Sequence, residues 1–379
     1  MSNKTCQMHR SVLKHPLRVG AVMQAKVFEG IDNVDQNLWD RVTLGHPYAG
    51  WHWCRYGEAI LKHPGYFLIA FEGDEPVGGA IFWVIYDEPV PTTHRAVRWL
   101  TSRYLNWRPL TVCRTPRLTD HKGVFLPSDP VQRTQVLSEI RRVGMDIAHR
   151  HRSSFLLADY LDEGELDYDA WGDFLRLKDF LNVGTWMHVR WNTFEEFMAA
   201  LKTSDKKMHK NVRHNLRYAQ EEGITIAIGH QMPPLEDVCR LVATKMKHYN
   251  IPFRRSELMQ IIDALPMLAE NSAIWVTAHR NGEMVGCELL LHDSINHVCK
   301  PVLYGRSYDV EFVYFYMCYE DIRYAIEELR VQTIIYDTEA YDFKRRMGFE
   351  IDSRNHLVLH PVSRIERALT GVLSRFMND

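Results

Sequence analysis

The sequence predicts two tandem α/β lobes, because one series of elements occurs twice along its 379 residues. Residues 67–81 (FLIAFEGDEPVGGAI) and 275–289 (WVTAHRNGEMVGCEL) each combine an apolar strand, a polar turn and a second strand with a Val-Gly step. A further strand, a long helix, an apolar strand ending in Asp159 or Asp337, and an aromatic-rich helical segment follow each hairpin. Such a repeat indicates duplication of one unit, and its mixture of elements indicates sheets with helices on both faces.

The composition bounds the class of protein. Hydrophobic residues make up 46% and charged residues 25% of the chain, as in ordinary globular proteins. The formal charge of −2 leaves no overall basic field for nucleic acid. No secretory signal and no run of about 18 apolar residues is present, so no membrane span is predicted. Seven cysteines without a CxxC pair indicate reduced thiols in a cytoplasmic protein, most of them small core residues.

In the first lobe, turn and capping residues locate the elements. Gly73 suits the positive φ of a hairpin turn, and Asp129-Pro130 begins a helix of about 20 residues, since proline fits the first helical turn. The predicted elements are a strand near 18–27, a partly helical aromatic segment at 46–65, strands at 66–72 and 77–86, the helix after Asp129, a buried strand at 155–159 and a helix at 168–181.

A turn at Asn182-Val183-Gly184 marks the join, and we place the boundary near residue 190, between an N-terminal lobe (1–190) and a C-terminal lobe (191–379). Thr193 and Glu196 match a capping box at the start of the next helix. The second lobe is predicted to contain helices at 193–222, 235–249 and 255–268, strands at 273–279, 284–292 and 296–305, a helix at 311–329, a strand at 332–337 and a helix at 340–346.

The first helix of the second lobe carries a cationic stripe. Lys206, Lys210, Arg213 and Arg217 are spaced by four, three and four residues, which places them on one helical face opposite an apolar face. Adjacent like charges cost roughly 0.2–0.5 kcal/mol per pair. A ligand that carries phosphate would explain the arrangement; a solvated helix face is the alternative.

The segment 333–351 contains a second group of candidate residues. A buried strand ends at Asp337, and polar residues at the carboxyl end of such a strand lie where open α/β sheets bind ligands. Asp337 or Glu339 is a candidate general base for an amine nucleophile, and Lys344 a candidate phosphate ligand. Gly348 ends the short helix as a C-cap. The alternative is that Asp337 caps this helix and Lys344 faces solvent.

Two further residues are expected in the same cleft. Tyr304 and Arg306 end the strand before the long helix whose first half is rich in tyrosine; those rings are either core or a base-stacking surface. The cluster His292, Asp293, His297 and Cys299 lies in two adjacent strands without convincing ligand spacing, so no metal site is predicted.

These features resemble the Fem superfamily, and within it the FemAB-like acyltransferases of peptidoglycan biosynthesis and recognition. The resemblance rests on tandem lobes of the GNAT (acyl-CoA N-acyltransferase) type, the Val-Gly hairpins, the basic helix, and a Phe-Lys-x-x-x-Gly-Phe motif formed by Phe343, Lys344, Gly348 and Phe349. It covers about residues 35–360. The Gly-rich pyrophosphate loop of ordinary acetyl-CoA-dependent acetyltransferases is missing from both halves, and so is the helical arm that some Fem proteins use near tRNA.

The resemblance implies an N-acyltransferase that moves an aminoacyl group from aminoacyl-tRNA, or an acyl group from acyl-CoA, to a primary amine of a small molecule or a peptidoglycan-type precursor. Either donor would be a co-substrate, with no tightly bound cofactor. Asp337 or Glu339 would accept the proton, and Tyr304 or backbone N–H groups would stabilise the oxyanion. Lys344 matches the family lysine that contacts substrate phosphate in some members, and the cationic stripe would bind donor phosphates or the tRNA acceptor stem. The alternative is a non-catalytic, degenerate GNAT scaffold that binds a phosphorylated or glycan ligand.

Overall fold

The structure, a computed structural model, describes residues 23–86, 99, 103–172, 175–177, 184–338 and 340–368. These residues form two mixed sheets flanked by helices, which confirms the predicted α/β class. The strands are β1 (Met23–Glu29), β2 (Tyr66–Glu72), β3 (Glu75–Ile85), β4 (Leu110–Cys113), β5 (Val124–Phe125), β6 (Phe155–Leu161), β7 (Leu175–Leu177), β8 (Thr185–His188), β9 (Ile224–Gly229), β10 (Ala273–Arg280), β11 (Glu283–Asp293), β12 (Val298–Arg306), β13 (Thr333–Tyr336), β14 (Glu350–Ile351) and β15 (His356–Pro361). The helices are α1 (Gln36–Val42), α2 (Trp51–Leu61), α3 (Pro130–Arg150), α4 (Tyr168–Trp171), α5 (Phe194–Ser204), α6 (Lys206–Glu221), α7 (Leu235–His248), α8 (Arg255–Ala264), α9 (Val313–Glu327) and α10 (Tyr341–Arg346).

The two sheets have the same strand arrangement. The first has the order β1-β2-β3-β4-β6-β15-β7, with β5 beside β3, and the second has the order β9-β10-β11-β12-β13-β8-β14. In each, a central parallel pair, β4–β6 or β12–β13, separates antiparallel strands. We call the parts built around the first and second sheets the first and second lobes. The predicted duplication is therefore confirmed at the level of topology.

The Val-Gly steps occupy equivalent positions in the two hairpins. Val77 in β3 and Val285 in β11 are each an extra residue at a shift of strand register, immediately before the glycine. A Cβ on Gly78 would lie 3.0 Å from a valine of α3, and one on Gly286 would lie 2.8 Å from a valine of α9. The glycines are thus the points at which the long helix of each lobe packs closely against its hairpin.

The lobes exchange one strand. β8 follows the first lobe in the chain but lies in the second sheet, between β13 and β14. β15 follows the second lobe but lies in the first sheet, between β6 and β7. A single boundary near residue 190 stays a prediction, and the exchange means that neither half of the chain completes its own sheet.

The predicted helix 193–222 is two helices. Asp205 lies between α5 and α6 with φ −142, and its carboxylate accepts a hydrogen bond from the backbone N–H of Met208 at 2.8 Å. An aspartate that caps a new helix ends the old one, because its extended backbone breaks the helical hydrogen-bond series. At the start of α5, Thr193 accepts from the N–H of Glu196, as a capping box requires, whereas Glu196 itself bonds the N–H of Asn192.

Several short strands differ from the sequence prediction or were absent from it. Residues 168–181 were expected to be helical, but α4 ends at Trp171 and β7 follows; 173–174 and 178–183 lie outside the described residues. β5, β8, β9, β14 and β15 were not predicted at all. The expected strand at 18–27 begins at Met23, and residues before it are also outside the described part. These strands are short, and their partners are remote in sequence, so local patterns specify them weakly.

The lobes share part of one core. Aromatic residues of α2 and the segment before it, including Tyr48 and Trp53, pack with buried residues of α7, α8 and the second sheet, such as Leu241 and Leu258. The backbone N–H of Tyr48 also donates to Asp293 at 2.8 Å. All six cysteines in the described chain are buried, as the core interpretation predicted. None of the helices described combines the length and apolarity that crossing a bilayer requires.

Candidate active site

A cavity opens in the second lobe where two neighbouring strands part. β12 and β13 are parallel, and in the described chain they pair at two positions, the last of which joins Cys299 to Ile334. Beyond that point the strands diverge, and Pro301 in β12 has no N–H to donate. The gap holds a cavity of about 430 Å³, which we call the β12–β13 cavity. Backbone groups on the separated edges are therefore available to a ligand that enters between them.

Four of the predicted site residues line this cavity: Tyr304, Arg306, Asp337 and Lys344. β12 supplies the first two, the loop after β13 supplies Asp337, and α10 supplies Lys344. The divergence of the two strands is what brings them to one space, because β12 and the end of β13 would otherwise be adjacent and paired. Glu339, the fifth candidate in this region, lies outside the described residues.

Tyr304 and two cations define the chemistry of the outer part of the cavity. The hydroxyl of Tyr304 is buried and has no hydrogen-bond partner among the described residues. Burial raises the pKa of Tyr304 well above its ordinary value, so the phenol stays protonated and can donate. The Nζ of Lys245 lies 5.5 Å from the centre of the Tyr304 ring, and the Arg306 guanidinium lies 4.3 Å from that of Tyr308. A neutral hydrogen-bond donor, the Tyr304 hydroxyl, and the positive charges of Lys245 and Arg306 therefore line the same part of the cavity.

Asp337 is held by a buried lysine. Its Oδ1 lies 3.0 Å from Nζ of Lys300, and 54% of the Asp337 side chain is exposed. Ala340, not Asp337, is the N-cap residue of α10, and no side chain caps that helix. The alternative interpretation of Asp337 as a helix cap is therefore wrong. Its carboxylate is instead held by the Lys300 ammonium.

Lys344 is buried, with 3% of its surface exposed, so the solvent-facing alternative is wrong. Its ammonium donates to the backbone carbonyls of Asp337 and Thr338. Gly348 has φ +96, and the N–H of Phe349 donates to the Lys344 carbonyl at 3.0 Å, as the predicted C-cap requires. Lys344 thus fixes the loop that carries Asp337, and its predicted contact with phosphate stays a prediction.

A second cavity, of about 220 Å³, lies between the lobes, and we call it the interlobe cavity. The first lobe contributes Asp120 and Tyr160 to its lining, and the second contributes Lys300 and Asp337. Lys300 joins the two sides, because its ammonium also lies 2.6 Å from Asp120. Asp337 and Thr338 line both cavities, so the loop after β13 forms the wall between them.

Sequence analysis missed one acidic pair beside the β12–β13 cavity. Glu288 of β11 lines the cavity but is only 3% exposed, and it lies beside Asp321 of α9, which is 1% exposed. Burial, followed by the repulsion from Asp321, raises the pKa of Glu288 well above its ordinary value. A lone glutamate inside the apolar run MVGCELLL (284–291) was the available signal, since a charged residue there needs a partner or a function.

The predicted cationic stripe lies on the exposed face of α6, away from the cavity lining. Lys206, Lys210, Arg213 and Arg217 are exposed, and no ion pair involves them within the described residues. α6 is connected to the cavity walls by two contacts. Asp205 at its start binds Arg346 of α10 at 2.8 Å, and Asn215 donates to Tyr319 of α9 at 3.1 Å.

In the part of the chain that the structure describes, no group of three or more His, Cys, Asp or Glu side chains is arranged to hold a metal ion. Asp293, from the cluster noted in the sequence, instead binds the N–H of Tyr48 and the side chain of Asn296 at the contact between lobes.

The fold is similar to that of several solved proteins. The crystal structure of FemX aligns with 88% of this chain and 96% of its own, at 12% identity and a TM-score of 0.58. A conserved protein of unknown function from Bacteroides thetaiotaomicron aligns with 86% of this chain and 96% of its own, at 10% identity and a TM-score of 0.50. A tandem GNAT protein from the clavulanic acid biosynthesis pathway aligns over 90% and 99%, at 10% identity and a TM-score of 0.49.

No protein-family model and no curated protein sequence matches this chain. The likeness to FemX is one of fold, and with the duplicated topology it confirms the predicted Fem-like architecture of two tandem GNAT-like lobes.

Proposed function

We propose that this chain is an N-acyltransferase that moves an aminoacyl group from aminoacyl-tRNA, or an acyl group from acyl-CoA, to a primary amine. The observation that carries the proposal is the β12–β13 cavity, where an unpartnered hydroxyl, a half-exposed carboxylate and two cations line the gap between parted strands. The likeness of fold to FemX supports it, in agreement with the resemblance of the sequence to the Fem superfamily.

The donor would enter between the strands. A donor of either kind carries phosphates and ends in an activated carbonyl. Lys245 and Arg306 would attract the phosphates, and the free backbone edge of β12 would bind the extended part that follows. The carbonyl would then lie near Tyr304, whose hydroxyl has its hydrogen free to donate.

The acceptor amine would approach through the interlobe cavity. That cavity is lined by Asp120 and Asp337, whose carboxylates suit a positively charged ammonium group. Because Asp337 and Thr338 line both cavities, an amine that passes this loop from the interlobe cavity would reach the carbonyl in the β12–β13 cavity. Holding both groups there supplies the proximity on which direct transfer depends.

The reaction then follows the ordinary course of acyl transfer. The bound ammonium first loses one proton to solvent; the nitrogen lone pair then attacks the carbonyl carbon, a C–N bond forms, and the carbonyl electrons move to oxygen. Tyr304 donates a hydrogen bond to that oxyanion, and Asp337 accepts the proton released by nitrogen. When the C=O bond re-forms, the C–S or C–O bond of the donor breaks and the thiol or hydroxyl leaves.

The exposed cations of α6 would extend the phosphate-binding region. α6 is attached to α10 and α9, which carry Lys344 and Tyr314 into the cavity lining, so a long polyanionic donor bound at the cavity can also contact α6. Aminoacyl-tRNA is long enough to do so, and acyl-CoA is short. If transfer depends on the α6 cations, tRNA would therefore be favoured as the donor.

A donor screen tests the proposal. Purified protein is incubated with acetyl-CoA or with total charged tRNA carrying labelled amino acids, together with a mixture of amino acids and amino sugars as acceptors. Mass spectrometry should detect new amides with one of the donors. The absence of any amide with both donors, from protein that is folded and binds phosphate compounds, would instead support the non-catalytic binder.

A further inference from the structure

Glu288 and Asp321 form a buried acidic pair at the inner wall of the β12–β13 cavity. Both side chains are almost fully buried, and they lie next to each other. Oε2 of Glu288 and Oδ1 of Asp321 have no donor among the described residues. The other Asp321 oxygen accepts from the hydroxyl of Tyr336 at 3.0 Å. Buried polar atoms need a hydrogen-bond partner, and a single proton held between the two carboxylates would give one to both oxygens.

The surroundings favour one proton rather than none or two. Burial and mutual repulsion raise the pKa of Glu288, and burial raises the pKa of Asp321. The Tyr336 hydroxyl and the charge of Lys245 act in the opposite direction, because they stabilise the anion that remains. The titratable and charged groups around the pair come from five elements and one loop: Cys287 of β11, Cys299 and Tyr304 of β12, Tyr314, Cys318 and Glu320 of α9, Lys245 of α7, Tyr336 of β13 and Asp337 in the following loop.

We infer that Glu288 and Asp321 share one proton at neutral pH and that Glu288, which faces the cavity, is the general acid that protonates the leaving group. This inference rests on the proposed function and adds a residue that the sequence did not suggest. Asp337 and Glu288 then have separate tasks. The half-exposed Asp337 takes a proton from the attacking nitrogen, and the buried Glu288 gives one to the departing atom.

The step is balanced in protons and electrons. As the tetrahedral intermediate collapses, the electron pair of the breaking C–S or C–O bond stays on sulfur or oxygen, and the shared proton moves from Glu288 to that atom. The pair is left with both carboxylates ionised, and Tyr336 and Lys245 stabilise this state. Asp337 releases its proton to solvent at its exposed face, and the pair regains one through the open cavity.

The benefit depends on the leaving group. A thiol has a pKa of about 8.5 and leaves readily as thiolate, whereas an alkoxide is far more basic and needs a proton as it departs. The acid therefore contributes most when the donor is an oxygen ester, as in aminoacyl-tRNA. Loss of Glu288 should lower transfer from an ester by about 10²-fold or more and affect a thioester much less.

Infrared difference spectroscopy tests the shared proton without any substrate. At neutral pH, the spectrum of wild-type protein minus that of Glu288→Gln should contain the C=O band of a protonated carboxyl group. Glu283→Gln, on the same strand but 72% exposed, is the matched control and should remove only carboxylate bands. If Glu288→Gln also removes only carboxylate bands, the pair holds no proton and the inference is wrong. Asp321→Asn provides a second variant should Glu288→Gln fail to fold.

The catalytic use of the proton is tested by the pH dependence of transfer, measured with acetyl-CoA and with total charged tRNA. For an oxygen-ester donor the rate should decline at alkaline pH as the pair loses its proton, and Glu288→Gln should be slow without that decline. A purely structural role predicts an alkaline decline that Glu288→Gln retains, and this result would overturn the inference. No transfer by wild-type protein with either donor contradicts the proposed function and, with it, the catalytic role, while the infrared band still decides whether the proton is shared.

Discussion

Two buried lysines organise the site, and each binds a different kind of group. Lys344 binds the backbone carbonyls of the loop after β13, and Lys300 binds the carboxylates of Asp120 and Asp337 on opposite lobes. Sequence analysis identified Lys344 and Asp337 through a motif at a strand end. It missed Lys300 and Glu288, because single charged residues in apolar strands reveal their role only when the partner from another element is known.

Removing the Lys300 ammonium should destabilise the protein. Besides its two carboxylate partners, the ammonium donates hydrogen bonds to the Leu118 and Thr119 carbonyls, at 3.1 and 3.2 Å. Lys300→Met should therefore lower the free energy of unfolding by roughly 1–3 kcal/mol, because polar partners lose their donor. Chemical denaturation measures the change. Lys247→Met, at an exposed position of α7, is the control and should stay within about 0.5 kcal/mol of wild type.

The contribution of Lys300 to the free energy of unfolding depends on pH in a defined way. Burial alone would lower the pKa of Lys300, but Asp120 and Asp337 outweigh it and raise that pKa; burial would raise the pKa of Asp120, but Lys300 outweighs it and lowers that pKa. The stabilisation is thus complete between the ordinary pKa values of Asp and Lys, about 3.9 and 10.4. It is lost as pH falls through the lowered pKa of Asp120 or rises through the raised pKa of Lys300. A difference between wild type and Lys300→Met that stays constant outside this range would contradict the assignment.

At the scale of elements, the hairpins and long helices could be predicted from the sequence, because periodicity, turn glycines and caps specify them locally. The short strands β9 and β15 did not, since their pairing partners lie in other parts of the chain. The break at Asp205 was missed because the apolar periodicity continues across it. The parting of β12 and β13 also had no sequence signal strong enough to predict it, although Pro301 lies beside it.

The two Val-Gly glycines should differ in tolerance. A Cβ on Gly78 would lie 2.6 Å from the Phe125 carbonyl oxygen, which is backbone, whereas one on Gly286 would lie 2.6 Å from the Met317 sulfur, at the end of a flexible side chain. Gly78→Ala should lower the free energy of unfolding by about 1–3 kcal/mol, and Gly286→Ala by less. Gly229→Ala, where no atom lies within 4 Å, is the control in thermal or chemical unfolding. Equal losses at both hairpins would contradict this account of their packing.

The cationic face of α6 should contribute to the binding of a polyanion and not to the stability of the fold. Lys210→Gln combined with Arg213→Gln should weaken binding of total tRNA and reduce the slope of log affinity against log salt by about 2, one for each lost phosphate contact. Stability should change by no more than about 0.5 kcal/mol. The matched control removes two other exposed cations, Arg41→Gln with Lys247→Gln. Equal effects of both double variants would show that α6 has no special role.

At the scale of the molecule, duplication produced two similar lobes with different central pairs. β4 and β6 pair over four residues, whereas β12 and β13 pair over two and then part. Both lobes were predictable from the repeat, but the exchange of β8 and β15 was not, because it concerns which lobe a strand joins and not whether it forms. The exchange and the shared core hold the lobes together around the interlobe cavity.

We propose that acyl transfer takes place in the β12–β13 cavity. A large side chain that fills this cavity should therefore block the reaction. Thr338 lies at the wall shared with the interlobe cavity. Val362→Trp is the control, because it fills a cavity of about 530 Å³ elsewhere in the first lobe. With the donor that wild-type protein uses, Thr338→Trp should abolish amide formation in a folded protein, and Val362→Trp should leave it near the wild-type rate. Full activity in a correctly folded Thr338→Trp protein would contradict the account.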